Sequence, residues 1–361
     1  MNQGIKELVK NCNKEEIKSI IEYLSNLLIN NETDSIKSNN DNIHCPYCNS
    51  NEHIKYGRVN GIQKYKCSCG RFYLKSSSRL NYHSKITIDK WLSFIDYEIS
   101  GLTLNEISYY TKLSVTTCFK LRHKLYSACI RYLNDIVRLL GKTELDSSYV
   151  KINLKGTKPN NMPRISKKRG KTSEYRGISH HKVCLIVSAD EYDNSFIQVA
   201  GLGSESIEKY KRYETQFKKS KLIVCDSKPC INQFANYLGL EVDQIKTTPI
   251  KDNKTYVPNN IKYHTTKNGN NIQTLNEVAK IIKDITHKYH GVNIRYLNGY
   301  LAFKCLIKNL KYRFERGIVP IQLLDILNNY YNYKKYMSLQ TLYPIDLKEA
   351  YWEYNYGIFK H

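Results

Sequence analysis

The sequence contains few acidic side chains for its size. Its 361 residues include 33 Asp and Glu against 56 Lys and Arg, which gives a net charge of +23 at pH 7. So strong a positive charge favours polyanionic partners, of which a phosphate backbone and an anionic membrane surface are the commonest. The scarcity of acids also makes the position of individual carboxylates informative.

Long hydrophobic runs and a secretion signal are absent from the sequence. No segment approaches the roughly 20 apolar residues that a membrane span needs, and the first residues do not resemble a signal peptide. The eleven cysteines are an odd number, which argues against a disulfide framework in a protein without a secretion signal. We therefore expect a soluble, cytoplasmic protein with no membrane partner.

Four of the cysteines form two close pairs, Cys45, Cys48, Cys67 and Cys69. Two such pairs about this far apart are typical of a zinc ion bound by four thiolates. The second pair is one residue shorter than usual, so His44 or His53 remains an alternative ligand. We predict a zinc ribbon over residues 43–80 that binds Zn²⁺, preceded by a helix and a polar linker over 1–42.

A helix-turn-helix pattern occupies part of residues 84–135. Apolar positions at helical spacing flank a short turn, where Lys112 stands at the position that favours Gly and Ser114 can cap the second helix. The second helix would expose side chains for a DNA groove or backbone: Thr116, Thr117, Lys120, Arg122 and Lys124. The alternative interpretation is an ordinary helical hairpin.

Two aspartates lie on short apolar runs that read as strands, Asp146 in ELDSSYV and Asp226 in LIVCD. A carboxylate on a buried strand is costly unless it is paired or binds a metal. If the two strands are neighbours, both carboxylates can share divalent ions for phosphodiester chemistry, and carboxylate ligands suit Mg²⁺ or Mn²⁺. The alternative is that each aspartate merely ends its strand. Strands and later helices predict an α/β domain with a mixed sheet over 142–310.

A late helix, from about 272 to 288, offers candidates for a third metal ligand. Asn276, Lys280 and Lys283 share one face of this helix, so an Asn276 amide oxygen can bind metal while the lysines contact DNA. Glu277 is the stronger ligand chemically, but it lies about 100° around the helix from Asn276. From the residues alone, both remain candidates.

These segments together resemble a known family. The motifs are CPYC…CSC, ELDSSYV, KKRG…RGISHHKVCLIVSAD, LIVCDS and NEVAKIIK…YHGVNIRYLNGYLAF. Over roughly residues 43–310 the chain is similar to bacterial insertion-sequence transposases of the ISXO2-like family. These join a zinc ribbon and a helix-turn-helix to a DDE-type, RNase H-like catalytic domain of the retroviral-integrase type. In the family the third catalytic residue is Glu, Asn or His, followed seven positions later by Lys. The resemblance therefore implies an Asp146, Asp226, Asn276 site with Lys283 as the follower.

The resemblance also implies an activity and partners. Such an enzyme binds the inverted repeats of its own element, cuts the 3′ ends in a metal-dependent reaction, and transfers them to target DNA. It would act on double-stranded DNA as a dimer at least, in the bacterial cytoplasm at the nucleoid. A basic loop would hold phosphates with Lys167, Lys168, Arg169 and Lys171, unless it is only a solvated charge run.

Other classes of protein remain as alternatives. A non-catalytic DNA-binding regulator derived from a transposase would keep the ribbon and the helix-turn-helix. A nuclease would cut without joining strands. The sequence shows no Arg…His-x-x-Arg…Tyr constellation and no early Ser among arginines, which disfavours tyrosine and serine recombinases. Residues 311–361 read as a helical extension for packing or oligomer contact.

Overall fold

The computed structural model describes most of the chain between the first zinc-ribbon cysteine and the C-terminal helices. The described residues are 45, 47–48, 50–59, 61–74, 86–157, 175–245, 266–313, 317–331, 336, 345–347 and 350–351. The predicted N-terminal helix and linker lie outside them, as do His44 and the basic-loop residues Lys167, Lys168, Arg169 and Lys171.

The cysteine-rich region folds as a small antiparallel sheet. Its three strands are adjacent in chain order: β1 (His53–Val59), β2 (Ile62–Cys67) and β3 (Phe72–Leu74). Because side chains alternate across a strand, one face buries Tyr65, Cys67 and Tyr73 beside Cys45. These four residues make up the buried apolar cluster of this sheet. On the other face Ile54, Tyr56 and Phe72 are exposed.

Three helices follow: α1 (Ile88–Ser100), α2 (Leu104–Thr111) and α3 (Val115–Asp135). Gly101 and Lys112 take left-handed conformations, with φ of 81° and 56°, and end α1 and α2. The Ser114 hydroxyl accepts the backbone N–H of Thr117 at 3.1 Å, which caps α3 as predicted. Two helices joined by a short turn are therefore present, and α3 extends to Asp135. The helix-turn-helix assignment stays a prediction.

The second sheet has five strands: β4 (Leu140–Lys151), β5 (Lys182–Asp190), β6 (Ser195–Leu202), β7 (Lys219–Asp226) and β8 (Glu241–Ile245). Their order is β6-β5-β4-β7-β8. The pairs β4–β5 and β5–β6 are antiparallel, whereas β4–β7 and β7–β8 are parallel. The prediction of a mixed sheet is confirmed, and β4 lies at its centre between an antiparallel and a parallel neighbour.

In the described part of this region, six helices accompany the sheet: α4 (Ile207–Lys211), α5 (Glu214–Phe217), α6 (Pro229–Leu238), α7 (Gln273–Lys288), α8 (Ile294–Arg313) and α9 (Val319–Tyr330). Helix α7 buries Leu275, Val278, Ile282 and Ile285, and it packs on β4 and β5. The three- and four-residue spacing of these apolar side chains in the sequence predicts this stripe. Among the described residues, no helix combines the length and hydrophobicity needed to cross a membrane.

One hydrophobic core is shared by the helices α1–α3 and the five-stranded sheet. The C-terminal half of α3 packs against α8. The ring centroid of Tyr126 lies 4.9 Å from that of Tyr300 and 4.8 Å from that of Phe303. The two segments predicted as separate domains, 84–135 and 142–310, therefore meet in a continuous interior. The three-stranded sheet has its own small cluster.

Candidate functional site

The four predicted zinc ligands converge at one end of the small sheet. All four sulfur atoms of Cys45, Cys48, Cys67 and Cys69 lie within 4.8 Å of one another. Cys45 Sγ is 3.8 Å from Cys69 Sγ, and Cys48 Sγ is 3.4 Å from Cys67 Sγ. Zn–S bonds of about 2.3 Å in a tetrahedron place sulfurs about 3.8 Å apart. The short Cys67-Ser-Cys69 pair therefore still reaches a common point, and these four thiols can hold a metal such as zinc.

The thiols differ in how readily they ionise. The Cys69 backbone amide and the neighbouring thiols lower the pKa of Cys67 to about 6, although burial opposes them. Burial raises the pKa of Cys45 to about 12. His53 is not part of this cluster and instead packs edge-on against Tyr65, with ring centroids 4.7 Å apart.

The second candidate site is formed where β7 ends beside the middle of β4. The last residue pair of this parallel ladder is Glu144 with Val224. Asp146 and Asp226 each follow two residues later on their own strands. Residues two apart point to the same face of a strand, so the equal offset makes the two aspartates neighbours across the sheet, 80 residues apart in sequence.

A lysine and a third acid complete this carboxylate cluster, and the sequence predicts neither. The Lys228 ammonium donates to Asp146 Oδ1 and lies 3.7 Å from Glu205 Oε2. Glu205 also accepts hydrogen bonds from the Ser147 and Tyr149 hydroxyls. Glu205 follows the end of β6, and Lys228 stands just before α6. The one sequence signal for them is the end of an apolar strand, which marks many solvent-exposed residues as well.

The charges of this cluster act on one another. The pKa of Asp226 is raised, first by burial and then by the negative charge of Asp146, while Lys228 opposes the shift. Burial alone would lower the pKa of Lys228, but its contacts with Asp146, Glu205 and Asp226 raise it. The Asp146 charge disfavours ionisation of Asp226, and a divalent cation beside both carboxylates would relieve that repulsion.

The helix with the predicted third ligand is anchored on the same strand face. The Leu275 backbone N–H at the start of α7 donates to Glu144 Oε2 at 2.6 Å. Glu144 is buried, which raises its pKa, and it lies two residues before Asp146. Asn276 is exposed on the first turn of α7. Within the described part of the chain, its amide makes no hydrogen bond to either aspartate, so its role remains a prediction.

A basic cavity lies on the other side of α7, towards α8 and α1. It has a volume of about 480 Å³ and is lined by Lys280, Lys288, Lys304, Lys308 and Lys311 among others. Glu277 also lines it, with Oε2 4.0 Å from Lys308 Nζ. Burial and the nearby Lys288 lower the pKa of Lys304. The cavity offers concentrated positive charge, whereas Lys283 lies exposed elsewhere on α7.

The prediction that Arg122 is exposed to a DNA groove is wrong. Arg122 is only 3% exposed, and its Nε donates a hydrogen bond to Oε1 of the buried Glu98 at 2.6 Å. Glu98 also accepts the Tyr126 hydroxyl at 3.1 Å. The apolar spacing of α2 and α3 in the sequence could not predict the burial of Arg122, because the ion pair depends on Glu98, which lies on α1. Thr116 and Lys120 are exposed, while Thr117 and Lys124 are half-buried.

The sequence is similar to that of a protein from a transposable element. Over 153 residues the chain is 28% identical to an uncharacterised protein in the transposable element ISH50 of Halobacterium salinarum. The match covers 41% of this chain and 49% of that protein, so the chain spans about half the length of this relative. No family model matches the sequence.

Solved structures of Mos1 complexes also align with the chain, but weakly. A pre-cleavage Mos1 transpososome aligns over 67% of this chain and 78% of its own, with 9% identity and a TM-score of 0.19. The Mos1 strand transfer complex aligns over 70% and 78%, with 11% identity and a TM-score of 0.22. At such TM-scores these alignments carry no weight for fold or function.

Proposed function

We propose that the protein is the DNA transposase of an insertion sequence, with a catalytic site made of Asp146, Asp226 and Asn276. The observation that carries the proposal is the pairing of β4 with β7, which brings Asp146 and Asp226 together in a protein of net charge +23. Isolated strand-end aspartates would not share one cluster. We assign the five-stranded mixed sheet and its helices to an RNase H-like catalytic domain.

The donor set fits a hard divalent cation. Carboxylate oxygens, with an amide oxygen from Asn276, are ligands that Mg²⁺ and Mn²⁺ prefer. When bound, such ions activate an attacking oxygen and stabilise a leaving oxygen in phosphodiester displacement. The chain itself aligns the carboxylates through two paired strands, and Glu144 fixes the start of α7 beside them. Lys228 and Glu205 adjust the charge of the site.

The rest of the chain supplies surfaces for double-stranded DNA. The N-terminal part of α3, with the exposed Thr116 and Lys120 and the half-buried Thr117, is the proposed groove-reading element. Lys280 and Lys283 on α7, and Lys167, Lys168 and Arg169 in the basic loop, are proposed to contact phosphates. The thiolate cluster is proposed to bind Zn²⁺ and to hold the ribbon together. Because two transposon ends must be cut together, we expect at least a dimer.

The test uses a DNA fragment that spans the protein's own gene with several hundred flanking base pairs. Purified zinc-loaded protein is incubated with Mg²⁺ or Mn²⁺, and nicks and joined products are mapped to the nucleotide. We expect 3′-hydroxyl ends at the element borders and their transfer to target DNA. The metal-free arm omits Mg²⁺ instead of adding a chelator, because a chelator would also remove zinc.

The variants Asp146→Asn and Asp226→Asn preserve shape and remove charge. Each should lower cutting at least about a hundredfold, since bound metal contributes several kcal/mol to such reactions. Asp193→Asn is the matched control, because Asp193 is an exposed acid in the turn between β5 and β6 with φ of 63°, which Asn tolerates. Border binding without cutting in either metal would contradict the proposal and favour a non-catalytic regulator. Cutting without joined products would indicate a nuclease.

A further inference from the structure

The face of the small sheet opposite its thiols displays exposed apolar and aromatic side chains. Because side chains alternate along each strand, this face displays Ile54 and Tyr56 on β1, Lys64 and Lys66 on β2, and Phe72 on β3. The strand register agrees, since Ile54 pairs with Lys66 and Lys66 pairs with Phe72. We call these five residues the ribbon platform.

The aromatic rings of the ribbon platform lie together in solvent. Tyr56 is 51% exposed and Phe72 is 41% exposed, yet their centroids are only 4.8 Å apart. Ile54 beside them is 64% exposed. A cluster of exposed apolar and aromatic side chains on so small a sheet indicates a binding surface, because solvation of such side chains is unfavourable.

These rings do not form the interior of the sheet. The buried cluster lies on the other face and consists of Tyr65 and Tyr73 with two of the cysteines. Tyr65 and Tyr73 already stack with centroids 5.6 Å apart. The fold therefore does not require aromatic rings at positions 56 and 72, and a further role must account for them.

The charge of the ribbon platform selects the chemistry of its partner. Lys64 Nζ lies 4.7 Å from the Phe72 ring centroid and 5.5 Å from that of Tyr56, and Lys66 Nζ lies 5.8 Å from that of Phe72. The three strands HIKYGRV, IQKYKC and FYL contain no acidic residue. Aromatic rings flanked by ammonium groups match a ligand that combines flat π-faces with phosphates.

We propose that the ribbon platform binds single-stranded DNA. Unpaired bases would stack on Tyr56 and Phe72, while Lys64 and Lys66 contact the adjacent phosphates. Bases within a duplex are stacked on one another, so they do not offer their faces to such a surface. The inference goes beyond the proposed transposase function and does not depend on cutting at Asp146 and Asp226.

The experiment measures fluorescence anisotropy with the full-length, zinc-loaded protein and no divalent metal added. The probes are a labelled oligothymidine of about 15 nucleotides, which suits the site sizes of such surfaces, and a duplex of equal length at the same salt. The variant Tyr56→Ala/Phe72→Ala should weaken oligothymidine binding about tenfold or more, because each base that stacks on an aromatic ring contributes substantially to the affinity. Duplex binding should change less than about twofold, because its phosphate contacts remain.

Two control variants make the result specific. Tyr56→Phe/Phe72→Tyr retains both rings and should keep the affinity for oligothymidine. Tyr237→Ala removes a tyrosine that is 53% exposed with Lys211 Nζ 4.7 Å from its ring, but on α6 in the other sheet region, and should have no effect. Zinc content is measured for each variant. Unchanged oligothymidine affinity in the double alanine variant would overturn the proposal, as would an equal loss on duplex.

A second measurement needs no variant and so does not depend on variant folding. Oligothymidine carrying 5-iodouracil is cross-linked to the unaltered protein, and the attachment sites are located by mass spectrometry. Cross-links at Tyr56 or Phe72 are expected, and cross-links confined to other regions would overturn the proposal. If the double alanine variant instead changes the oligomeric mass and keeps its oligothymidine affinity, the platform is a protein contact and the proposal fails.

Discussion

The thiol cluster and the carboxylate cluster are assembled in different ways. The four cysteines come from a stretch of 25 residues in one small sheet, and their sulfurs converge within 4.8 Å. Asp146, Glu205 and Asp226 come from β4, the loop after β6 and the end of β7, and a lysine lies among them. A local motif determines the first site, whereas the pairing of distant strands determines the second.

The two regions should also depend on metal to different degrees. The small sheet buries four residues in its own cluster, and two of these are cysteines. Domains of this size rarely fold on an apolar core alone. The five-stranded sheet shares a large interior with α1–α3 and the later helices, so its fold should persist without a cation. The comparison can be tested region by region.

Removal of zinc should produce the largest effect. A structural Zn²⁺ contributes apparent free energies of about 10–16 kcal/mol to small modules, so a chelator should unfold the ribbon while the five-stranded sheet remains folded. Hydrogen exchange read by mass spectrometry should show loss of protection over residues 53–74 and retention over 140–226. Cys67→Ser should reproduce the effect without chelator. Retained protection in the ribbon, or simultaneous loss in both regions, would contradict the comparison.

The buried ion pair of Arg122 and Glu98 is a useful comparison, because both of its charges are paired within the protein and need no metal ion. Arg122→Ala should lower the free energy of unfolding by about 3–5 kcal/mol, because it leaves Glu98 buried without its cation. The control is Lys120→Ala, which removes an exposed cation from the same helix and should cost less than about 0.5 kcal/mol. Urea denaturation measures both. Equal stability of the two variants would show that the Glu98 contact contributes nothing.

The sequence predicts the local features of both sites well. Cysteine spacing indicates the thiol cluster, and apolar runs locate β4 and β7, because a carboxylate inside such a run is conspicuous. The Ser114 cap and the stripe of α7 follow from local chemistry in the same way. These features are predictable because the residues that cause them are neighbours along the chain.

Features that depend on tertiary partners were not predictable. β8 (EVDQI) is not evident from the sequence, because three of its five residues are polar and break the alternation that marks a strand. Glu205 and Lys228 become site residues only when β6 and β7 take their places on the two sides of β4 in the sheet. Arg122 has the character of a DNA-binding side chain, yet the buried Glu98 from α1 determines where it lies.

Lys228 should compete with the divalent cation for the carboxylates. Its ammonium contacts Asp146 and is 27% exposed. Two unit charges 4 Å apart interact by about 4 kcal/mol at an effective dielectric constant of 20, and partial exposure reduces this. Lys228→Met should therefore tighten Mg²⁺ binding about tenfold. The measurement is the Mg²⁺ concentration that gives half of the maximal rise in melting temperature, which should fall by that factor. Lys221→Met, an exposed lysine on β7, is the control. Unchanged or weaker Mg²⁺ binding by the Lys228 variant would show that the ammonium does not compete.

The smallest expected effect is the pH dependence that Asp226 gives to metal binding. Burial and Asp146 raise its pKa in the folded protein, so its contribution to stability is present below the pKa of an unfolded aspartate, about 3.9, and is lost as pH rises through the folded-state pKa. Without metal, Asp226→Asn should therefore raise the melting temperature at neutral pH by a few degrees, as about 1 kcal/mol does.

With Mg²⁺ the sign is reversed, because the cation binds the ionised carboxylate and protons compete with it. The Mg²⁺-induced rise in the melting temperature of the unaltered protein should grow as pH increases above the ordinary aspartate range. In Asp226→Asn it should be smaller and should vary less with pH, whereas the thiol cluster should respond to zinc alike in both proteins. Thermal melts over a pH series with and without Mg²⁺ measure this. A parallel pH response in the two proteins would place the cation away from Asp226.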